Sequence, residues 1–335
     1  MSGSDYLSLP DLALRSYGGS VIAANDEFFA EKENLITPGS ATFHPATFGH
    51  KGQVYDGWET RRRRTAGQDW AIVRLGLPGV VRGVVIDTSF FTGNFPPYAA
   101  VDGVAVDGYP PAEEVATGAG WVPLVPRVEL SGDGRNEFDV REPSRITHVR
   151  LSIYPDGGVA RLRVHGEVIP DPRLWAGLSM DLAALENGAV ITGCSNMHYA
   201  SPNNLIAPGL ARVMGEGWET ARRRDDGNDW VSVRLAGAGV VRLLELDTTH
   251  FKGNAPGTAS VRGRHDGGDW FELLPRTRLL PDTRHRFVVE GEQVASELRL
   301  DVFPDGGMAR LRAYGRLTDE ALTLLTDRWR ELSAR

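Results

Sequence analysis

The feature that most constrains this chain is that it is written twice. GWETRRRR (57–64) returns as GWETARRR (217–224), QDWAIVRL (68–75) as NDWVSVRL (228–235), and IDTSFFTGN (86–94) as LDTTHFKGN (246–254). PRVEL (126–130) matches PRTRL (275–279), and YPDGGVARLRVHG (154–166) matches FPDGGMARLRAYG (303–315). The openings align too: LPDLALRSYGG (9–19) with SMDLAALENGA (179–189), and ANDEFFAEKENLI (24–36) with CSNMHYASPNNLI (194–206). Collinear matches in this number exclude chance, and they make each copy a structural unit. The spacing between copies falls from 170 to 160 to 149 residues, which places insertions of ten and eleven residues in the first copy, near 37–56 and 95–125. The expected organisation is a first repeat at 1–169, a linker at 170–178, a second repeat at 179–316 and a terminal helix at 317–335.

Each copy reads as short strands between turns. AIVRLG, VVRGVVIDT, THVRLSIY and ARLRVHG are rich in Val and Ile and partly alternating, as half-buried strands are. With 39 Gly and 20 Pro, the chain has the composition of a turn-rich β protein. Pro-Asp-Gly-Gly at 155–158 and 304–307 predicts a tight hairpin. The fold class expected is all-β: two tandem jelly-roll β-sandwich repeats with short peripheral helices. DLALRS and MDLAALEN are expected to form short helices behind an Asp cap, and TDEALTLLTDRWREL (318–332) a terminal one.

A formal charge of −7 argues against nucleic acid and anionic membranes as partners. No apolar run is long enough to cross a bilayer, and the opening residues lack the regions of a signal peptide. One cysteine, Cys194, rules out an internal disulfide and points to a cytoplasmic protein. There is no phosphate-binding Walker loop, no dinucleotide glycine fingerprint, no HExxH and no GxSxG elbow. No metal or other cofactor is expected from the sequence.

Candidate chemistry concentrates in the repeated loops. Trp58 and Trp218 are expected to stack on a ligand, and Glu59 and Glu219 are available for acid/base work. Arginines in succession cannot all face outward, because alternate side chains of an extended segment point to opposite sides. Some must meet an acidic partner such as Asp69 or a bound carboxylate, and Arg62, Arg64, Arg222 and Arg224 are the substrate-binding candidates. Asp87, Asp247, Asp156 and Asp305 read as turn residues. The positions where the copies differ are the most informative. Phe28 aligns with His198, Phe90 with His250, Asp26 with Asn196, Glu27 with Met197 and Thr92 with Lys252. Titratable groups replacing apolar ones make His198, His250, Glu27 and Asp26 the catalytic candidates, with Lys252 as a further binding residue.

Taken together, ANDEFFAEKENLI, YDGWETRRRR, DWAIVRLG, IDTSFFTGN, the YPDGG-ARLR segment and their second-copy partners resemble the allantoicase family from about Leu9 to Gly315. The resemblance implies a pair of galactose-binding-like jelly rolls, homo-oligomers, and hydrolysis of allantoate to (S)-ureidoglycolate and urea, a C–N bond reaction of purine breakdown. It carries no residue roles. A non-catalytic tandem module for small, carbohydrate-type ligands is the alternative of a different class, since such sandwiches often bind without reacting. The many Arg, His, Glu and Asp side chains of the repeated loops favour chemistry. A metal-dependent allantoate amidohydrolase would release ammonia instead, and its ligand pattern is not present.

Overall fold

The computed structural model describes residues 5–50 and 52–334. The chain forms two compact units that divide between Ile169 and Pro170. Each is an antiparallel β-sandwich organised by one 19-residue strand, Asp69–Asp87 in the first and Asp229–Asp247 in the second.

The first half of strand Asp69–Asp87 pairs with Ser20–Ala24 on one side and Arg145–Tyr154 on the other. Tyr98–Val104 and Val122–Glu129 extend that sheet. The second half pairs instead with Arg161–Val168 and Arg135–Asp139. Between the halves the register jumps from Arg74↔His148 to Gly79↔Ile146. That irregularity, where Pro78 lacks an N–H for the ladder, lets one strand leave the first sheet and enter the second. The second unit repeats the jump from Arg234↔Glu297 to Gly239↔Ala295. Ala71, Val73, Leu75, Val84 and Ile86, and their counterparts Val231, Val233, Leu235, Leu244 and Leu246, are buried and fill the cores. The all-β reading and the tandem jelly rolls hold.

The two insertions lie where the shift in spacing put them. The first carries the small hairpin Phe48–Gly49 with Gly52–Gln53, and the second carries helix Ala112–Thr117. The terminal helix spans Asp319–Ser333. No helix among the described residues is long and apolar enough to cross a membrane.

Two local expectations are corrected. Pro-Asp-Gly-Gly does not close a hairpin: Arg145–Tyr154 and Arg161–Val168 both pair with the long strand, in different halves of it. The segment is a crossing between sheets, and its Gly158 and Gly307 admit a phenyl ring rather than a tight turn. A Cβ there would lie 2.0 Å from the ring of Phe91 or Phe251. The segments DLALRS and MDLAALEN form single 3₁₀ turns, Arg15–Tyr17 and Leu185–Asn187, each stopped by a left-handed glycine, Gly18 or Gly188.

The aspartates expected to cap them do something else. Asp11 Oδ1 accepts the amides of Ala13 and Val164, and Asp181 Oδ1 accepts those of Ala183 and Ala313. Each thereby ties the entry segment to the last strand of its unit. Burial pushes the Asp181 carboxyl up from 3.8 to about 6, against the pull of the Ala313 amide and of Arg312, 3.5 Å away. A carboxyl raised in the fold favours the folded state most when protonated. That contribution is complete below 3.8 and is lost as pH rises through about 6. Asp181→Asn is therefore expected to flatten the pH dependence of unfolding free energy between about 4 and 6 by up to about 3 kcal/mol. Urea melts at several pH values check it; an unchanged slope would mean the carboxyl titrates normally.

Candidate active site

The repeated loops converge at one end of each sandwich, and a tryptophan holds them there. Trp58 and Trp218 are fully buried. Their indole N–H groups donate to the carbonyls of Asp26 and Asn196, each at 2.8 Å. The two-residue strand that each Trp opens, Trp58–Glu59 or Trp218–Glu219, pairs with the glycine crossing, Gly158–Val159 or Gly307–Met308. The rings expected to stack on a ligand are thus core side chains, because the indole satisfies a buried carbonyl and fills space between loops.

What this frame presents is a carboxyl on an amide. Asn94 Nδ2 donates to Glu59 Oε1 at 2.7 Å, and Asn254 Nδ2 to Glu219 Oε1 at 2.5 Å. The asparagine carbonyls in turn accept the amides of Gly158 and Gly307, both at 2.8 Å. Burial raises the Glu59 carboxyl above its ordinary value, and the Asn94 bond only partly offsets this. Glu59 and Glu219 were visible as acid/base candidates within GWET, but their partners stand 35 residues away, in a loop whose Asn reads as a turn former.

The arginine runs divide as side-chain alternation requires. Arg63 meets Asp69 at 2.5 Å, and Arg223 meets Asp229 at 2.8 Å and Asp225 at 2.9 Å. Their backbone amides are capped by Asp156 and Asp305, each at 2.8 Å. Arg62, Arg64, Arg222 and Arg224 are exposed, and among the described residues no carboxylate holds them. Lys252 is exposed as well. Asp87 and Asp247 accept the amides of Ser89 and Thr249, as turn residues do.

The diverged positions correspond in space. Phe28 and His198 each donate their amide to the side chain two residues before, at 3.1 and 3.0 Å. Each ring stands edge-on to the next one, Phe29 at 5.0 Å or Tyr199 at 4.6 Å. Phe90 and His250 share left-handed φ angles of 69° and 74°, and their amides meet Asp133 and Asp282, both at 2.7 Å. The Phe90 ring stacks on Phe43, whereas His250 Nε2 lies 3.0 Å from the carbonyl of Ala211 and must carry its proton there. Glu27 is bound to Lys32 at 3.1 Å.

Asp26 is held by Arg61, with the Arg61 amide at 2.9 Å and the guanidinium at 2.7 Å. Burial would raise this carboxyl, but the Arg61 and Phe28 amides and the Arg61 guanidinium outweigh it and hold it below the usual range. In the second unit Asn196 accepts the amides of Ala221 and His198 in the same arrangement, so carboxylate and guanidinium are absent together. No group of three or more His, Cys, Asp or Glu converges as a metal set among the described residues.

The family described as "Allantoicase repeat" matches residues 10–169 and again 180–318. A probable allantoicase of Nocardia farcinica is 60% identical over 314 residues, 93% of this chain and 95% of that protein. One from Streptomyces avermitilis is 50% identical, covering 96% and 89%. The crystal structure of allantoicase from Saccharomyces cerevisiae superposes with a TM-score of 0.77 at 34% identity, over 91% of this chain and 92% of that one. This chain belongs to the allantoicase family.

The paired absence in the second unit predicts coupling in the first. Arg61→Ala is expected to cost about 1 kcal/mol or less, since the guanidinium is largely solvated. Combining it with Asp26→Asn is expected to cost measurably less than the sum of the two single changes. Urea unfolding of the four proteins tests this, and strict additivity would contradict the pairing.

Proposed function

We propose that this chain hydrolyses allantoate to (S)-ureidoglycolate and urea. The observation that carries the proposal is membership of the allantoicase family through both repeats, over nearly the whole chain. Allantoate is a carboxylate whose central carbon bears two ureido groups. Release of intact urea breaks the bond from that carbon to nitrogen, so the site needs a cation for the carboxylate, an acid for the departing nitrogen and a base. The base takes a proton from water, or from the remaining ureido N–H if elimination comes first.

The exposed Arg62, Arg64, Arg222, Arg224 and Lys252 supply cations at the loop ends. Glu59, whose carboxyl burial raises above its ordinary value, is the acid for the departing nitrogen. His198 and His250 are the second repeat's proton carriers, imidazole being the ordinary one near neutrality. Asp26, held ionised by Arg61, serves the loop rather than accepting a proton, and Glu27 is similarly occupied by Lys32. The single cysteine and the family resemblance support a cytoplasmic homo-oligomer.

Incubation of the purified protein with allantoate is expected to give urea and ureidoglycolate in equal amounts without ammonia. Absence of turnover with retained binding would favour the non-catalytic module. Glu59→Gln and His198→Ala are each expected to lower turnover by at least about 10²-fold with the melting temperature kept. Normal kinetics in either variant removes that residue from the chemistry. In ¹⁸O-water the label is expected in the ureidoglycolate hydroxyl, and labelled carbon dioxide with ammonia in place of urea would instead mean attack at the ureido carbonyl.

A further inference from the structure

We infer that Arg127 is a built carboxylate-binding residue of the first repeat. Its guanidinium carbon lies 4.8 Å from the ring centre of Tyr98 and 4.4 Å from that of Tyr154. These tyrosines face each other across neighbouring strands. Several other arginines of this unit are held by carboxylates: Arg63 by Asp69, Arg150 by Asp102 and Arg161 by Asp56. Arg127 is exposed and, among the described residues, pairs with no carboxylate. Aromatic rings hold a guanidinium through its flat face and leave its in-plane N–H groups unspent. Those groups form the fork that matches the two oxygens of a carboxylate. A cation fixed in orientation without its donors being consumed is prepared for an anion.

The position connects it with the candidate site. Tyr98 follows the loop that carries Asn94, the partner of Glu59. Tyr154 lies two residues before Asp156, which caps Arg63. The two tyrosines beneath Arg127 thus stand at the ends of strands that adjoin the loops framing Glu59. The second repeat keeps the arginine but spends it differently. Arg276 lies over Phe303 alone, at 4.0 Å, and its Nε donates to Thr258 Oγ1 at 2.9 Å. Thr258 stands where the first repeat has Tyr98, so the device belongs to one repeat.

The ligand class follows from the geometry: a small organic carboxylate, and, resting on the function proposed above, the carboxylate of allantoate. The test uses the full-length protein and two probes, N-carbamoylglycine, which has one ureido group and a carboxylate, and its uncharged amide. Calorimetry is expected to show carbamoylglycine binding weakened at least tenfold by Arg127→Gln and unchanged within twofold by Arg276→Gln. The amide should bind all three proteins alike. Tyr98→Leu, which removes part of the floor while keeping the cation, is expected to weaken the acid by an intermediate factor. With allantoate, Arg127→Gln should raise KM at least tenfold with a smaller change in kcat. The assignment is overturned if the unsubstituted protein does not bind carbamoylglycine, or if Arg127→Gln binds it normally with an unchanged melting temperature. It also fails if acid and amide lose affinity equally. Absence of urea release by the unsubstituted protein would sink the proposed reaction, while the acid-against-amide comparison would still judge the residue.

Discussion

An indole N–H bonded to a buried carbonyl is the contact on which each loop end depends. Trp58 and Trp218 have no access to solvent, so their single polar atom must find a partner inside, and it finds the carbonyl of Asp26 or Asn196. The same residue begins the short strand that pairs with the glycine crossing. One side chain thus sets the distance between three loops that are far apart in sequence. Replacing it would leave a cavity and an unsatisfied carbonyl together, two costs that add at one place. The Glu–Asn pair and the capped arginine are positioned by that frame.

Duplication made most of the architecture legible, because comparing two copies supplies what a single strand pattern does not. It located the insertions and the positions at which the two copies differ. The failures have a common origin. In sequence a Trp beside charged residues looks alike whether it points in or out, and only packing puts Trp58 in the core. Pro-Asp-Gly-Gly has the residues of a hairpin, yet local turn chemistry does not specify which strands pair beyond it. The aspartates of the entry segments have the sequence of helix caps, but cross-strand amides compete for the same oxygens and win.

The candidate site was legible by residue type more than by partnership. Alternation correctly required that some arginines meet acids, and Arg63 and Arg223 do. Arg61 meets Asp26 as well, and Arg62, Arg64, Arg222 and Arg224 are left without a carboxylate among the described residues. The link between Glu59 and Asn94 joins two motifs that were each recognised separately, and nothing in either one names the other. The ring floor beneath Arg127 is less visible still, since it needs two tyrosines from strands whose adjacency only the sheet order reveals.

The Asp26–Arg61 pair and its neutral counterpart Asn196–Ala221 also limit how one copy can turn into the other. Two single-step intermediates connect them. One keeps the carboxylate and loses the guanidinium, leaving a partly enclosed negative charge supported only by amides. The other keeps the guanidinium over an uncharged Asn, where water serves an exposed cation at little cost. The second route is the easier. Whichever state came first, the lineage of these loops is expected to have passed through Asn with Arg, and a relative caught in transit should carry that combination.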